Sequence, residues 1–345
     1  MSRILVVNAG STSLKLSIVD DAGTSRSIDS FEQAATEVDA VAHRVVHGGT
    51  RFRQPVLIDA DVTAALDALA ELAPLHNRRG VAAINEAMSA LPHLPHVAVF
   101  DTAFHQTMPD EASTYALPAR WRNDWDIRRF GFHGLSVQWA AEEVRVPRLV
   151  VCHLGGGCSV TAVRDGRSVD TTMGYSPLEG VPMATRSGSI DAEIVLHLLR
   201  TKKLDLGEIE RALESESGLL GLSGETARVE ELERSSTSTA KLALSVFAHR
   251  VAASVAAMAT SLDGIDALVF TAGIGEGSAR VRRDVCGRLG FLGVELDAEA
   301  NAAAVPDADV KAQGAAVRIV VLHAREDVIA ARAARELTLG APFRD

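Results

Sequence analysis

The sequence predicts an α/β protein built from two related domains. Its 345 residues exceed the ~100–200 residues of a typical single domain. Strand-like segments alternate with helix-like segments along the chain. A strand–turn–strand pattern near the N-terminus, ILVVNAGSTSLKLSIVDD, returns near mid-chain as LVVCHLGGGCSVTAVRDG. We place the boundary between these copies, which gives domains of residues 1–146 and 147–345, with the last helix a candidate for packing back on the first domain.

The two strand–turn–strand segments share a plan but not a strict pattern. In the first, Leu14, Leu16 and Ile18 alternate with polar residues, as in a half-buried strand. In the second, a strand leads into three glycines, and Asp165-Gly166 is typical of a hairpin turn. The alternation slips by one residue between the copies, so two unrelated hairpins are the alternative to a duplication.

Hydrophobic periodicity predicts the remaining elements in order. In the first domain, helices are predicted over residues 60–72, 81–91 and 135–144, and strands over 41–46 and 96–100. In the second domain, helices are predicted over 191–199, 207–213 and 239–262. A buried strand over 267–271 then leads through a glycine-rich turn, GIGEG, into a helix from 278, a strand over 316–322 and a final helix from 326.

Composition excludes several classes of function. A formal charge of −10 argues against non-specific binding to nucleic acid or anionic membranes. No apolar run approaches the ~20 residues of a membrane span, and the N-terminus turns polar at Asn8, unlike a secretory signal. Three cysteines, Cys152, Cys158 and Cys286, are too few for a disulfide framework. We therefore expect a cytoplasmic protein that binds neither nucleic acid nor membrane.

Three glycine-rich turns follow predicted strands: NAGSTS, HLGGGCS and TAGIGEGS. Glycine lets backbone N–H groups approach a phosphate closely, and hydroxyl groups add donors. None of the turns has the Walker A pattern or the G-x-G-x-x-G spacing, and many such glycines only form turns. Because all three lie beyond strand ends, they favour a phosphate or nucleotide site. Lys15 follows the first turn and could reach a phosphate; the alternative is a solvated surface lysine.

Charged side chains at predicted strand ends and in loops match the needs of phosphoryl transfer. Arg44 could clamp a carboxylate or phosphate, or form a surface ion pair. Asp101 follows a buried strand, where it could act in catalysis or cap the next turn. Arg186, in a Gly/Ser loop, could stabilise transferring charge, and His133 could act or simply pack before a helix. Phosphoryl transfer depends mainly on such positioning and electrostatics.

The ordered set of motifs resembles the acetate kinase (acetokinase) family. The set is NAGSTSLK, HRVVHGG, ELAPLHN, VFDTAFHQTMP, FGFHG, HLGGGCS, TTMGYSPLEGVPMATRSGSID, SGLLGLSG and VFTAGIGE, and it spans nearly the whole chain. The resemblance implies two actin-like, ribonuclease-H-like domains around a central cleft, the fold of the acetate and sugar kinase, Hsp70 and actin superfamily. It also implies a homodimer that transfers a phosphoryl group reversibly from ATP to acetate, giving ADP and acetyl phosphate, with Mg²⁺ or, in its place, Mn²⁺.

The resemblance also implies roles for individual residues. Asp101 would be the catalytic acid/base or orienting carboxylate, and His133 and Arg186 would stabilise the in-line transition state. Arg44 would hold the substrate carboxylate, in a site completed by Val46, Leu75, His76, Phe132 and Pro177. The phosphates and nucleotide would contact Ser11, Ser13, Lys15, His153, Leu154, Gly155, Gly156, Gly157, Gly273, Ile274, Gly275, Glu276 and Gly277. The metal would be placed by Asn8 and Glu326.

This chain departs from the family pattern on the nucleotide and metal side. Gly156 replaces the Asn of H-L-G-N-G, and Gly277 replaces the Asn of GIGEN. The family's T-N-E-E reads H-A-R-E, so Arg325 falls on the metal glutamate without a gap. Glu326 serves after a shift of one residue, or Asp327 does, or the ligand is absent. The departures leave open a propionate kinase, another donor such as pyrophosphate, and a weakly active ligand-binding paralogue.

Overall fold

The computed structural model describes residues 2–9, 14–69 and 74–340, with backbone alone for 74–78. Its described residues form two compact units, each assembled from separate stretches of chain. Unit 1 combines Met1–Gln106, Phe132–Trp139 and Arg325–Asp345, and unit 2 combines Thr107–Gly131 and Ala140–Ala324. The boundary expected between residues 146 and 147 separates the strands of one sheet from those of the other. The compact units do not follow this boundary, because residues 107–131 belong to unit 2 and residues 325–345 belong to unit 1.

Unit 1 is built on a sheet of six described strands in the order β3-β2-β1-β4-β6-β5. These are β1 (Ile4–Ala9), β2 (Leu14–Val19), β3 (Ser25–Ile28), β4 (Ala40–Val45), β5 (Val56–Leu57) and β6 (His96–Phe100). The central strands β1, β4 and β6 are parallel, and the outer strands are antiparallel to their neighbours. The three central strands are mostly apolar and almost entirely buried, as expected for parallel strands covered on both faces.

Helices cover this sheet and close its core. They are α1 (Ala60–Ala68), α2 (Pro74–Ala90), α14 (Glu326–Leu339) and the first part of α5 (Gly134–Val144). The helix α14 packs against β1, β4 and β6, and α2 packs against β1 and β4. Leu5, Val7, Val41 and Ala87 lie in one buried cluster of this core. The fold of unit 1 therefore joins the two ends of the chain.

Unit 2 repeats the sheet plan of unit 1 strand for strand. Its order is β11-β12-β10-β7-β8-β9, with β7, β10 and β12 parallel and the outer strands antiparallel. The strands are β7 (Arg148–Leu154), β8 (Cys158–Arg164), β9 (Arg167–Thr171), β10 (Ala267–Thr271), β11 (Ala308–Asp309) and β12 (Arg318–Val321). Each hairpin found in the sequence begins one such sheet, so the shared topology favours a duplication over two unrelated hairpins. The predicted fold class is confirmed.

The longest helix of unit 2 is α10 (Ser238–Leu262), which packs against β7, β8 and β9. The others are α3 (Asp110–Ser113), α4 (Ala119–Trp125), α6 (Ala192–Arg200), α7 (Leu206–Ser215), α8 (Gly218–Ser223), α9 (Val229–Arg234), α11 (Ala272–Gly277), α12 (Ala279–Cys286) and α13 (Ala298–Ala303). Within the described ranges, α10 is the one helix long and apolar enough to cross a membrane. Half of the apolar stretch of α10 is buried in unit 2, as in the core helix of a globular domain.

Two element predictions are wrong at their boundaries. The GIGEG segment, predicted as a turn, is the helix α11, which follows β10 directly. The helix predicted over 81–91 begins earlier, at Pro74. The helix predicted from 278 is confirmed as α12, and the Ser278 side chain caps its N-terminus by accepting a hydrogen bond from Val281 N at 2.9 Å.

Candidate active site

Polar side chains converge where the parallel strands of unit 1 end. Asn8, near the end of β1, lies opposite Arg44 of β4 in the strand register. Asp101 follows β6 directly, and its backbone N–H donates to Val45 O at 3.0 Å. Ligands of open α/β sheets bind at the carboxyl ends of parallel strands. The edge formed by β1, β4 and β6 is therefore the candidate site in unit 1.

The Arg44 guanidinium is the centre of this cluster. Its Nε and Nη2 donate to the two carboxylate oxygens of Asp101, at 2.8 and 2.6 Å. Its Nη1 donates to Asn8 Oδ1 at 3.2 Å and lies 2.9 Å from Glu326 Oε2. Only 15% of the Arg44 side chain and 1% of that of Asp101 are exposed. Of the five N–H groups of an arginine, these contacts leave one, on Nη2, for a further partner.

Glu326 is brought to Arg44 by the first turn of α14. Burial raises the pKa of Glu326, Arg44 counteracts this rise, and Asp101 adds to it. The carboxylate of the neighbouring residue, Asp327, has other partners. It accepts hydrogen bonds from Ser25 and Ser17, and also from Val328 N at 3.0 Å. Of the two carboxylates that the sequence left open, Glu326 is therefore the one in the Arg44 cluster.

The segment carrying Phe132 and His133 packs closely on Asp101. Gly134 N donates to Asp101 O at 3.0 Å, and a Cβ at Gly134 would lie 2.0 Å from that oxygen. His133 has a φ of +59°, in the left-handed region. Phe132 is buried, and its carbonyl oxygen lies 2.9 Å from His105 Nε2. This contact makes His105 a further residue of the site wall, and its place in the VFDTAFH motif was the available signal.

In unit 2, glycine turns lie at the corresponding strand ends. His153, at the end of β7, pairs in register with Thr271 of β10. In the turn that follows, Gly155 N donates to Gly157 O at 3.0 Å, and the Cys158 thiol donates to Gly155 O at 3.3 Å. A Cβ placed on Gly156 would meet no atom within 4 Å. The same is true of Gly277, so the missing asparagine side chains leave open space at both positions.

The carboxylate of Glu276 holds the backbone around α11. Its Oε1 accepts hydrogen bonds from Ala272 N at 2.9 Å and Ala324 N at 3.0 Å. Its Oε2 lies 2.7 Å from His323 Nδ1. These contacts join the segment after β10 to the segment after β12. They occupy both oxygens of the Glu276 carboxylate, and the nucleotide contact that the sequence predicts for Glu276 stays a prediction.

Two other predicted site residues meet in the loop between β9 and α6. Arg186 Nη1 donates to Pro177 O at 3.4 Å and lies 3.8 Å from Met183 Sδ. Burial lowers the pKa of Arg186, and Glu214 counteracts this effect. A partly buried arginine of this kind can stabilise charge on a transferring phosphoryl group.

The remaining predicted residues are only partly described. Ser11 and Ser13 lie outside the described residues, as do the side chains of Leu75 and His76 on α2. Lys15 is exposed on β2, and its charge lowers the pKa of Glu326. Val46, half-buried, follows β4 directly. Among the described side chains, no group of three His, Cys, Asp or Glu is placed to hold a metal ion.

The fold and these sites define a class of protein. The two sheets share one plan. The sheet of unit 2 has glycine turns at its strand ends, and the sheet of unit 1 has an arginine–carboxylate cluster there. This is the arrangement of a phosphotransferase with the two-domain actin-like fold. Residues 22–332 match the model of the Acetokinase family, and the chain belongs to this family. The family comprises kinases that transfer phosphate to a carboxylate.

Known relatives and structures agree with the assignment. The acetate kinase of a Synechococcus strain is 46% identical over 317 residues, which are 89% of this chain and 78% of that protein. The acetate kinase of Deinococcus deserti is 48% identical over 315 residues, 87% of this chain and 78% of its own. A propionate kinase structure from Francisella tularensis matches with a TM-score of 0.90 and 34% identity, over 97% of this chain and 100% of that one. The Porphyromonas gingivalis acetate kinase structure matches with a TM-score of 0.85 and 30% identity, over 98% and 100%.

Proposed function

We propose that this chain catalyses reversible phosphoryl transfer between ATP and acetate, with ADP and acetyl phosphate as products. The observation that carries the proposal is the convergence of Asn8, Arg44, Asp101 and Glu326 at the carboxyl ends of β1, β4 and β6. The relatives at 46–48% identity, which are named acetate kinases, support the choice of acetate.

Acetate is ionised at neutral pH, so its carboxylate oxygen attacks the γ-phosphorus without a general base. The new bond joins acetate oxygen to phosphorus, and the bond from phosphorus to the β,γ-bridging oxygen breaks to release ADP. Asp101 is buried, and both of its oxygens accept from Arg44. We therefore assign Asp101 an orienting role, and not that of a proton acceptor. His133 and Arg186 would stabilise charge on the transferring group.

Substrate binding in this mechanism begins at Arg44. Its remaining Nη2 N–H would bind one carboxylate oxygen of acetate, while Asp101 fixes the guanidinium plane. Val46, two residues after Arg44, and Phe132, directly before His133, would contact the methyl group of acetate, together with Leu75 and Pro177. His76 would complete this side of the site. The turn at 153–157 and the backbone of 273–277 would bind the nucleotide phosphates.

Asn8 and Glu326 would hold Mg²⁺, or Mn²⁺ in its place. The donor set fits, because both side chains offer oxygen atoms, which Mg²⁺ prefers. The charges also fit, because two carboxylates, Asp101 and Glu326, face the single guanidinium of Arg44 in this buried cluster. When bound, the metal would neutralise charge on the phosphate oxygens.

Propionate is the second candidate substrate. It is favoured by the propionate kinase structure that matches this chain with a TM-score of 0.90. One additional methylene group changes discrimination by only about 1–3 kcal/mol in an apolar pocket. Acetate and propionate must therefore be compared directly.

A second copy of the chain is the proposed partner. The helix α6 has no buried residue in the described structure, although six of the nine residues in its sequence, AEIVLHLLR, are apolar. Ile190, Ile194, Leu196 and Leu199 are exposed along this segment. A patch of this kind on a soluble chain marks an interaction surface, and a twofold dimer would bury it on both copies. We therefore propose a homodimer that pairs through α6.

A hydroxamate assay of the purified protein with Mg²⁺ tests the proposed function. It crosses acetate and propionate with ATP, GTP and pyrophosphate. We expect turnover with acetate and ATP, which would show that Gly156, Gly277 and Arg325 are compatible with activity. Turnover only with pyrophosphate would contradict the assigned donor. Binding of nucleotide without turnover of any pair would favour a ligand-binding paralogue.

A further inference from the structure

The loop between β9 and α6, residues 172–191, carries both Pro177 and Arg186 and has no regular secondary structure. Its Met173, Val181 and Met183 side chains are nevertheless fully buried. A long irregular segment can place a catalytic side chain only if contacts from elsewhere in the fold hold it.

The Arg186 end of the loop is held by backbone contacts with α7 and α8. Thr185 Oγ1 donates to Glu214 O at 2.9 Å, and Ser217 N donates to Thr185 O at 2.9 Å. Leu219 N donates to Met183 O at 2.8 Å. These bonds fix the chain beside Arg186. They do not reach the part of the loop around Pro177.

The Pro177 end is held by three side chains, Tyr115, Arg129 and Glu179, which we call the Glu179 bracket. Arg129 Nη2 donates to Glu179 Oε1 at 3.0 Å, and the Tyr115 hydroxyl donates to Glu179 Oε2. Arg129 Nη1 also donates to Thr171 O at 3.1 Å and Thr172 O at 3.0 Å, where the loop begins. Burial and the bond to Glu179 raise the pKa of Tyr115, so its hydroxyl stays a donor at neutral pH.

The bracket is closely fitted to the loop backbone. Tyr175 N donates to Tyr115 Oη at 2.9 Å, and the Arg129 guanidinium lies 5.4 Å from the Tyr115 ring centre. A Cβ at Gly174 would lie 1.7 Å from Glu179 Oε2 and 1.9 Å from Tyr115 Oη. The bracket therefore accepts only glycine at position 174. On its other side, Arg129 and Glu179 line a cavity of about 790 Å³.

Contacts continue from the bracket to Arg186. Pro177, two residues before Glu179, accepts the hydrogen bond from Arg186 Nη1 at 3.4 Å. Gly180, the residue after Glu179, exchanges two hydrogen bonds with Ser189: Ser189 N donates to Gly180 O at 2.8 Å, and Gly180 N donates to Ser189 Oγ at 3.1 Å. Both flanks of Glu179 are thus tied to the chain that carries Arg186.

We propose that Glu179, held by Tyr115 and Arg129, is a positioning residue that fixes the Arg186 guanidinium for phosphoryl transfer. The proposal rests on the proposed function for the role of Arg186. It also explains why Thr107–Gly131 belongs to unit 2, since this segment supplies Tyr115 and Arg129. Glu179 acts through Arg186, and its loss should therefore lower kcat and leave the KM values for acetate and ATP near those of the wild type.

Steady-state kinetics of Glu179→Ala, Glu179→Gln, Arg186→Ala and the Glu179→Ala/Arg186→Ala double variant test the proposal. We expect Glu179→Ala to lower kcat by about 10–100-fold, with each KM within about twofold. Glu179→Gln should recover most of the rate, because its amide can accept from Arg129 and donate to Tyr115. In the Arg186→Ala background, Glu179→Ala should have almost no further effect. Additive effects, or a change confined to KM, would overturn the proposal.

Hydrogen exchange of the peptide covering residues 174–188 supplies a readout independent of activity. We expect faster exchange in Glu179→Ala and in Tyr115→Phe, with α7 as the internal reference. Asp309→Ala is the matched control, because it removes a carboxylate from an exposed pair with Arg318 in the same unit. Unchanged exchange in Glu179→Ala would overturn the proposal even if the wild type showed no turnover. An inactive wild type would refute the proposed function separately.

Discussion

Arg44 pairs with two buried carboxylates at once. The sequence suggested a clamp for substrate, whereas in the structure Arg44 also forms ion pairs with Asp101 and Glu326. Arg44→Ala would leave both carboxylates buried without their cation. We expect it to raise the KM for acetate and also to destabilise the fold by about 3–5 kcal/mol. Kinetics and urea unfolding measure the two effects; a raised KM with wild-type stability would limit Arg44 to substrate binding.

Glu326 carries a separate prediction about the metal. Glu326→Gln keeps the size of the side chain but removes a negatively charged oxygen donor. We expect the Mg²⁺ concentration for half-maximal activity to rise severalfold. The control is Asp327→Asn, because Asp327 accepts from Ser17 and Ser25 and does not face Arg44. Equal Mg²⁺ dependence in Glu326→Gln and wild type would move the metal ligand elsewhere.

His43 and His96 form a buried pair whose protonation opposes folding. His43 Nε2 lies 2.9 Å from His96 Nδ1, and His96 Nε2 lies 3.1 Å from Leu91 O. Because that carbonyl can only accept, His96 carries its proton on Nε2, and His43 donates to His96 Nδ1. Burial lowers the pKa of His43 to about 3 and also lowers the pKa of His96. Both rings are therefore neutral in the folded protein at pH 7.

Acidification should destabilise the fold through this pair. Unfolded histidine titrates near pH 6.5, so between about pH 6.5 and 3 the unfolded state binds more protons than the folded state. Stability contributed by the neutral pair is present above about pH 6.5 and is lost as pH falls. Denaturant unfolding from pH 7.5 to 5 should show a shallower pH slope in His43→Leu, with a total loss of stability about 2 kcal/mol smaller than in the wild type. The exposed His93 supplies the control, His93→Leu; if the His43→Leu slope matches that of the control, the pair is not the cause.

At the scale of elements, the start of α5 depends on one glycine. A Cβ at Gly134 would lie 2.0 Å from Asp101 O and 2.9 Å from Phe104 Cβ. We expect Gly134→Ala to destabilise the fold by about 1–3 kcal/mol and to lower kcat, because Asp101 must move. Gly80→Ala in α2 is the control, since its Cβ meets nothing within 4 Å, and it should stabilise by about 0.5–1 kcal/mol. Thermal unfolding of both variants tests these predictions. Equal melting temperatures for Gly134→Ala and Gly80→Ala would contradict the close fit at Gly134.

The elements also show where sequence patterns stop being sufficient. The buried strands were predictable because runs of β-branched residues favour the extended conformation of a strand. The helix α11 was missed because its sequence, AGIGEG, is rich in glycine, a poor helix former. Its stability comes from distant residues: Arg282 donates to Gly275 O at 2.9 Å and Glu276 O at 2.7 Å, and the Glu276 carboxylate binds Ala272 N and Ala324 N. No local pattern contains these contacts.

The residues of the candidate site also divide into those that a local sequence pattern indicates and those that depend on how separate parts of the chain pack. Arg44 and Asp101 could be proposed because each lies at a predicted strand end, where an α/β sheet places its functional groups. Asn8 was implied only by the resemblance to the acetate kinase family. The proximity of Glu326 to Arg44 could not be settled, because it depends on where α14 packs. Tyr115, Arg129 and Glu179 were not singled out, since their meeting joins two separate segments of the chain, 107–131 and 172–191.

At the scale of the whole molecule, the exposed α6 face predicts a dimer. Leu196 is 52% exposed, and a glutamate in its place would put a charge on the proposed interface. We expect light scattering to report a dimer for the wild type and a monomer for Leu196→Glu. Phe291→Glu is the control, because Phe291 is 75% exposed elsewhere in unit 2. A monomeric wild type, or a dimer in Leu196→Glu, would contradict pairing through α6.

The joining of the two chain ends in unit 1 has a consequence for protein synthesis. On the ribosome, β1, β4 and β6 are made before the sheet of unit 2, whereas α14, which packs on them, is made after it. The sheet face under α14 therefore stays apolar and uncovered while the sheet of unit 2 is translated, and such exposure favours aggregation. Synthesis and docking of α14 complete the core of unit 1 and deliver Glu326 to Arg44 in the same step. Premature termination anywhere before Glu326 removes the cover and the carboxylate together.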